Sequence, residues 1–253
     1  MTITIPATAL AFGFAQNGMG SHGSRTLMLS ELRLLLTALP PTATLVEYQQ
    51  AVVQDNVLLK KTISTRQESF RRLREMYALD NNVRLFQALR DLWEIEAEAQ
   101  RLLALLCAVA RDPLLRETAE VILNTPFGTS VTKEMLLGVV SQSFPERLNA
   151  TSLVNVGKNT ASSWQQSGHL VGRINKVRHR AKTCPASTTY ALLLGYLCEA
   201  RGDNLFETFW SRLLDAPKNE LHDQAGLASQ SGWLDYRHTG NVTDISFRYL
   251  LRD

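Results

Sequence analysis

"DNVLLKKTISTRQESFRRLREMY" (residues 55–77) packs six Lys and Arg into one short stretch of an otherwise balanced chain, and its reading decides the fold. Read as a helix, it sets Phe70, Leu73, Met76 and Tyr77 on one face, spaced to meet a core, and turns Arg71 and Arg72 the other way. Ser64 with Gln67, or Thr65 with Glu68, offers the cap that opens this helix after the linker "NVLLKKTI" (56–63). Upstream, "LMLSELRLLLTAL" (27–39) repeats Leu at helical spacing until Pro40-Pro41 stops it. Thr44 with Glu47 then makes a capping box for a second helix running to about Asp55. Three short helices with the basic one last is the order of a helix-turn-helix unit over 25–80, preceded by an N-terminal arm, 1–24.

Further on, Val83 to Ala110 reads as one long amphipathic helix. Asp112-Pro113 caps and starts another, to about Leu123, and 131–143 forms one more. This region, 81–150, holds nine acidic and seven basic residues and reads as a helical connector. Thr151 to Leu197 differs sharply, with six Lys/Arg and no Asp or Glu. Asn159 is placed to cap a short helix, "TASSWQQS" (160–167), which ends at Gly168. In "LVGRINKVRHRAK" (170–182) basic residues at 176, 178, 180 and 182 alternate, which on a strand puts all four on one face. A short helix followed by a basic strand is a winged-helix-like segment, 151–185. The last segment, 186–253, reads as a second one: helices near 186–200, 204–215 and 219–230, then a β-hairpin turning at "HTGN" (238–241). The fold class expected is mainly α: a helical bundle with helix-turn-helix and winged-helix units and a small C-terminal β-hairpin.

Composition narrows the function. The 253 residues are 45% apolar and 20% charged with net charge +3, ordinary for a globular protein, so charge distribution matters more than its total. Cys107, Cys184 and Cys198 are odd in number, far apart and without a C-x-x-C pair, which suits free thiols in a reducing, cytoplasmic setting. Residues 1–24 have no Lys or Arg to make a signal peptide's basic start, and "ATALAFGFA" and "LRLLLTAL" are too short to span a bilayer, so no membrane is expected. "GKNT" (157–160) resembles the end of a P-loop, but the required earlier glycine is Ser152. H-E-x-x-H, G-x-S-x-G and dinucleotide fingerprints are missing, and the histidines at 22, 169, 179, 222 and 238 show no ligand spacing. Glu94 and Glu98 share a helix face that reads as solvated rather than metal-binding. The expectation is a non-enzymatic protein with no cofactor, no metal and no small-molecule substrate.

Nucleic acid fits the basic segments better. Lys60, Lys61 and Arg66 have no local acid and lie where a helix N-terminus favours phosphate; Gln67 is within reach of an adenine edge. Arg71 and Arg72 can instead be held by Glu68 and Glu75. In 158–182 no carboxylate is available locally, so its cations, and His169 and His179, are expected at phosphate, whereas Trp164 reads as a core anchor.

The opening stretch also resembles the E-N-V-L-x-K-[KR]-[ST]-x-x-[ST] pattern of the BrxA proteins of BREX phage-defence systems. Asp55, Asn56, Val57, Leu58, Lys60, Lys61, Thr62 and Thr65 stand at the matching positions, with Asp in place of Glu. "SRTLMLSELRLLLTAL" (24–39) is similar to that family's opening helix, and a looser likeness returns at "KNTASSWQQSGHL" (158–170). The resemblance implies a mostly helical, non-enzymatic accessory protein that binds double-stranded DNA, with other defence-system proteins as further partners. The chain departs from compact family members in its length and its acidic C-terminal segment. The candidate DNA contacts are Lys60, Lys61, Thr65, Arg66, Gln67, Arg71, Lys158, Asn159, Arg173, Lys176, Arg178 and Arg180. Two other readings stand beside this one: a protein-interaction scaffold within a defence complex, and an RNA-binding module of antitermination type.

Overall fold

A computed structural model describes residues 4–252 apart from 17, 19, 146, 147 and 241. In chain order its helices are α1 (Ala7–Leu10), α2 (Leu29–Ala38), α3 (Leu45–Val53), α4 (Ile63–Tyr77), α5 (Arg84–Trp93), α6 (Gln100–Arg111) and α7 (Pro113–Glu117). They continue with α8 (Ala119–Asn124), α9 (Lys133–Ser143), α10 (Ala150–Gln166), α11 (Pro185–Leu197), α12 (Phe209–Arg212) and α13 (Lys218–Gln230). A 3-10 turn covers Gly202–Glu207, and two antiparallel hairpins pair β1 (Leu170–Val171) with β2 (Val177–Arg178) and β3 (Asp235–Thr239) with β4 (Val242–Ser246).

Two helices organise the rest. Every residue from Leu102 to Ala110 of α6 is buried, as is every residue from Ala186 to Gly195 of α11. A helix apolar on all sides has no face to give to water and must be wrapped. Helices α4, α5, α7 and α10 pack on α6; α5, α12 and α13 pack on α11, and the two central helices touch each other. One hydrophobic cluster therefore runs from Ile5, Ala9 and Phe14 of the N-terminal arm through to Leu250. Trp164 sits in it fully buried, its Nε1 donating to the Thr118 hydroxyl at 2.8 Å, as expected of a core anchor. Among the described residues no helix is long and apolar enough to cross a membrane.

Several sequence expectations hold. The Thr44–Glu47 capping box is formed, and Asp112 accepts the Leu114 and Leu115 N–H groups with Pro113 at the first helical position. The C-terminal hairpin pairs Thr239 with Val242 across its turn; Asn241 of that turn lies outside the described residues.

Others are corrected. The pattern from Val83 to Ala110 is two helices, not one: the chain reverses over 94–99, where Gln100 Nε2 donates to the Trp93 carbonyl at 3.2 Å, so α5 folds back on α6. The basic helix α4 is capped by Thr62, not Ser64 or Thr65. Asn56 and Leu59 adopt positive φ, and Asn56 Oδ1 takes the Lys60 N–H at 2.8 Å, which turns the chain into the helix earlier. Asn159 caps nothing: Asn149 caps α10 through the Ser152 N–H, and Asn159 lies inside the helix, donating to the His22 carbonyl at 2.9 Å. Packing of Val156, Gly157 and Trp164 overrides the weak helix propensity of this Thr-, Ser- and Asn-rich stretch.

The basic "strand" is the last correction. Only Val177–Arg178 is strand, with Leu170 opposite Arg178 and Val171 opposite Val177. Its outer edge is taken by the segment 128–131: Arg178 N donates to Thr129 O at 2.9 Å and Val131 N to Lys176 O at 2.8 Å. The spatial order is thus 128–131, β2, β1, with α9 and α10 lying between the first and last of these in sequence. Two glycines make the unit possible. At Gly157 a Cβ would stand 2.9 Å from the Lys133 carbonyl, so α9 and α10 approach as only glycine permits; at Gly172 (φ +99°) it would collide with Asn175 O, in the tight turn joining β1 to β2. Leu114, Val140 and Val156 form a small core of their own under this unit.

Candidate nucleic-acid interface

The arginine-rich middle of α4 is neutralised by its own helix. Arg71 reaches Glu68 (2.8 Å) and Glu75 (3.0 Å), and Arg72 reaches the same two carboxylates at 2.8 and 3.0 Å. The Arg72 hydrogen bond, with Arg71 behind it, holds the Glu68 carboxyl below the usual range against the opposing effect of burial. Lys60 also finds an acid, Glu31 of α2, at 2.8 Å. Arg66 turns back to the end of α3, donating to Val53 O at 3.3 Å, and the Thr65 hydroxyl meets that of Thr62 at 2.9 Å. Of the six candidates on this stretch, Lys61 and Gln67 remain exposed without a side-chain partner among the described residues.

The second basic stretch divides differently. Arg178 is only 3% exposed and forms a two-pronged pair with Asp215: Nη1 to Oδ2 is 2.8 Å and Nη2 meets Oδ1. Its Nε donates to the Ile122 carbonyl at 2.7 Å, so the guanidinium joins the hairpin to two other parts of the chain. It cannot touch a phosphate on the folded surface, which corrects the sequence reading; the missing carboxylate lies outside the segment, at 215. His169 is likewise interior, between the Ser167 hydroxyl and the Leu213 carbonyl, and burial lowers its pKa to about 4. Lys182 is paired with Glu98 at 2.6 Å, and Arg180 lies over the Phe127 ring at 5.2 Å.

What remains converges. Lys158 on the exposed face of α10, with Arg173 and Lys176 from the hairpin turn, lines a cleft of about 480 Å³ together with Lys133, the first residue of α9, and Glu134, an exposed acid 3.6 Å from Lys133. Lys133 was hidden in sequence by the net acidic region around it. Lys176 is lowered in pKa by partial burial and donates to Gln165, while Lys158 and Arg173 have no ion-pair partner among the described residues. Ile174, at the turn's tip, is 89% exposed. Thr151, Asn155 and Lys158 recur at helical spacing along α10 and face outward. On the other flank of the hairpin a cleft of about 600 Å³ is lined by Arg101, His179, Arg180 and Lys182, with Glu98 as its acid. Asn159, half-buried and turned toward His22, belongs to neither cleft.

Sequence reasoning also missed a constellation of catalytic type. His22 Nδ1 is 2.7 Å from Asp112 Oδ2, and its Nε2 is 2.9 Å from Ser163 Oγ, the arrangement of a Ser-His-Asp triad. Its surroundings argue for a staple. All three residues are buried, the Ser163 hydroxyl already donates to Asn159 O and accepts the Leu27 N–H, and Asp112 accepts the N–H groups of Ser21, His22, Leu114 and Leu115. Burial alone would raise the Asp112 carboxyl; His22 and these backbone donors hold it below its ordinary range. A nucleophile needs a path for substrate, and this hydroxyl is enclosed.

No protein-family model matches the chain, and no curated protein matches it either.

Proposed function

We propose that the chain binds double-stranded DNA without catalysing a reaction, through the face formed by α10 and the turn 172–176. The order helix, strand segment 128–131, α9, α10, β1, β2, with β2 in the middle of the ribbon, supports reading this unit as a helix-turn-helix carrying a wing. In such a unit the second helix of the pair enters the major groove, about 12 Å wide, and the hairpin lies along the backbone. On this reading Lys133, Lys158, Arg173 and Lys176 meet phosphates, and Thr151 and Asn155 face base edges, Asn being suited to adenine. The observation that carries the proposal is the convergence of those four cations from three separate elements on one cleft. A role in a BREX-like defence system, inside the bacterial cell and beside other defence proteins, rests only on the family resemblance, carried by residues 24–80 and more loosely by 158–170.

The test is fluorescence anisotropy with a short duplex across a salt series. Four phosphate contacts give a log–log slope of about −3.6, so affinity falls by about two orders of magnitude between 50 and 200 mM salt. Lys158→Glu and Arg173→Glu should each weaken binding and flatten the slope. A slope near zero, or equal competition by unrelated acidic protein, would sink the proposal; preference for duplex RNA would move it to the RNA-binding reading.

A further inference from the structure

The histidines of the C-terminal segment show no ligand spacing in sequence, yet the fold gathers two of them with an aspartate. We propose that Asp203, His222 and His238 form a binding site for a divalent transition metal, Zn²⁺ by preference. One ligand atom from each lies within 4.8 Å of the others. They come from three elements: Asp203 from the 3-10 turn, His222 from α13 and His238 from β3.

Three features distinguish this cluster from a chance meeting of polar side chains. First, His222 Nε2 stands 3.3 Å from Asp203 Oδ1, and two ligands of a tetrahedral ion with bonds of about 2.0 Å stand roughly 3.3 Å apart. The cluster as a whole is wider, so closing on an ion asks His238 to move inward by an ångström or so, which its exposed position on the hairpin allows. Second, each imidazole has its Nδ1 on a hydroxyl, at 2.8 Å to Tyr236 for His222 and at 2.9 Å to Thr243 for His238. Thr243 Oγ1 gives its proton to Asp203 Oδ1 at 3.0 Å, so it accepts from His238 Nδ1–H, which leaves the lone pair on Nε2. An outer hydroxyl that fixes the tautomer of His238, and another that orients the ring of His222, are contacts of the kind metal-binding histidines use. Third, the Phe206 ring stacks on His222 at 3.8 Å and holds its plane.

The donor set selects the ion. Two imidazoles and one carboxylate suit Zn²⁺ and its neighbours, whereas Mg²⁺ and Ca²⁺ need oxygen ligands. Three protein ligands leave one position for water. Lys218 holds the other oxygen of Asp203 at 2.6 Å and Glu207 at 2.5 Å, so a cation would bind beside an ammonium group, with correspondingly moderate affinity. Bound metal would tie β3 to α13 and to the turn 202–207, fixing the C-terminal hairpin in place.

The experiment uses the full chain freed of metal with a chelator, titrated with Co²⁺ and followed by visible absorption. One equivalent should produce the absorption bands of a tetrahedral ion, and Zn²⁺ should displace them. Zn²⁺ at a hundredfold excess over its Kd should raise the Tm by about 5–10 °C, while Mg²⁺ should not. His238→Ala, whose ring is exposed and whose unchanged circular dichroism spectrum would confirm an intact fold, should abolish both effects, as should Asp203→Asn. Lys218→Ala should tighten binding severalfold. Absence of the Co²⁺ bands at millimolar metal, or bands that persist in His238→Ala, would overturn the proposal.

Discussion

The Arg178–Asp215 pair gives the sharpest test of how the hairpin is held. Replacing Asp215 with Asn keeps the size of the side chain and its tolerance of the local backbone, which has φ of 55°. It removes the carboxylate paired with a guanidinium that is 3% exposed and puts amide donors against the Arg178 N–H groups. Ala181 N, which donates to Asp215 Oδ2 at 3.1 Å, also loses a charged acceptor. Breaking a buried ion pair from one side costs about 3–5 kcal/mol because the other charge is stranded. In a chain of this length each kcal/mol lowers the midpoint by about 2–4 °C, so the Tm should drop by roughly 6–20 °C. Thermal unfolding followed by far-ultraviolet circular dichroism reads this directly. Adding Arg178→Met removes the stranded charge and should return a substantial part of the loss, giving a coupling of about 2 kcal/mol in the double-mutant cycle. DNA affinity should fall in the single variant at temperatures near its new midpoint, without any phosphate contact having been touched. A Tm change under 2 °C, or a double variant no better than the single one, would refute the assignment of this pair as the hairpin's anchor.

Other outcomes follow from the same geometry. Arg72→Ala loses exposed helix pairs worth about 0.3–0.5 kcal/mol each, so stability and DNA affinity should both stay close to wild type; a tenfold loss of affinity would make α4 the reading helix instead. His169, with Asp215 and Arg178 facing it, has a folded pKa of about 4 against 6.5 unfolded. Between those values only the unfolded chain takes up the proton, so stability is full above pH 6.5 and falls by up to about 3 kcal/mol as the pH drops to 4. Urea midpoints at pH 7 and pH 4.5 measure it, and His169→Gln should flatten the difference. Asp112→Ala removes a helix cap worth about 1 kcal/mol and leaves buried His22 and the Ser21 N–H without their acceptor. Its Tm should fall by several degrees while the folded fraction should keep the proposed salt-dependent DNA binding.

The parts of this fold legible in sequence are those governed by neighbours in the chain. The Thr44–Glu47 box, the Asp112-Pro113 helix start, the stop at Pro40 and the hairpin at 235–246 all depend on residues within a few positions of each other. The self-pairing of Arg71 and Arg72 with Glu68 and Glu75 is legible for the same reason. Long-range partners are what sequence hid. Lys60 meets Glu31 across 29 positions, Arg178 meets Asp215 across 37, and His22 meets Asp112 across 90. A segment with no acid of its own looked like a free cationic strand because nothing in 151–197 records that Asp215 folds onto it. The cleft had the opposite problem: Lys133 joins Lys158 and Arg173 only once Gly157 lets α9 settle on α10.

The all-round burial of α6 and α11 has a consequence for synthesis. Roughly 85 residues separate the end of α6 from the end of α11, and a ribosome adding about 5–20 residues per second needs several seconds to make them. During that interval α5 and α6 exist without the helix that covers them, and the apolar surface meant for α11 faces water or a chaperone. The nascent chain is therefore most prone to aggregate midway through translation. Slowing translation between codons 111 and 197 should lower the yield of folded protein more than slowing it anywhere after residue 200.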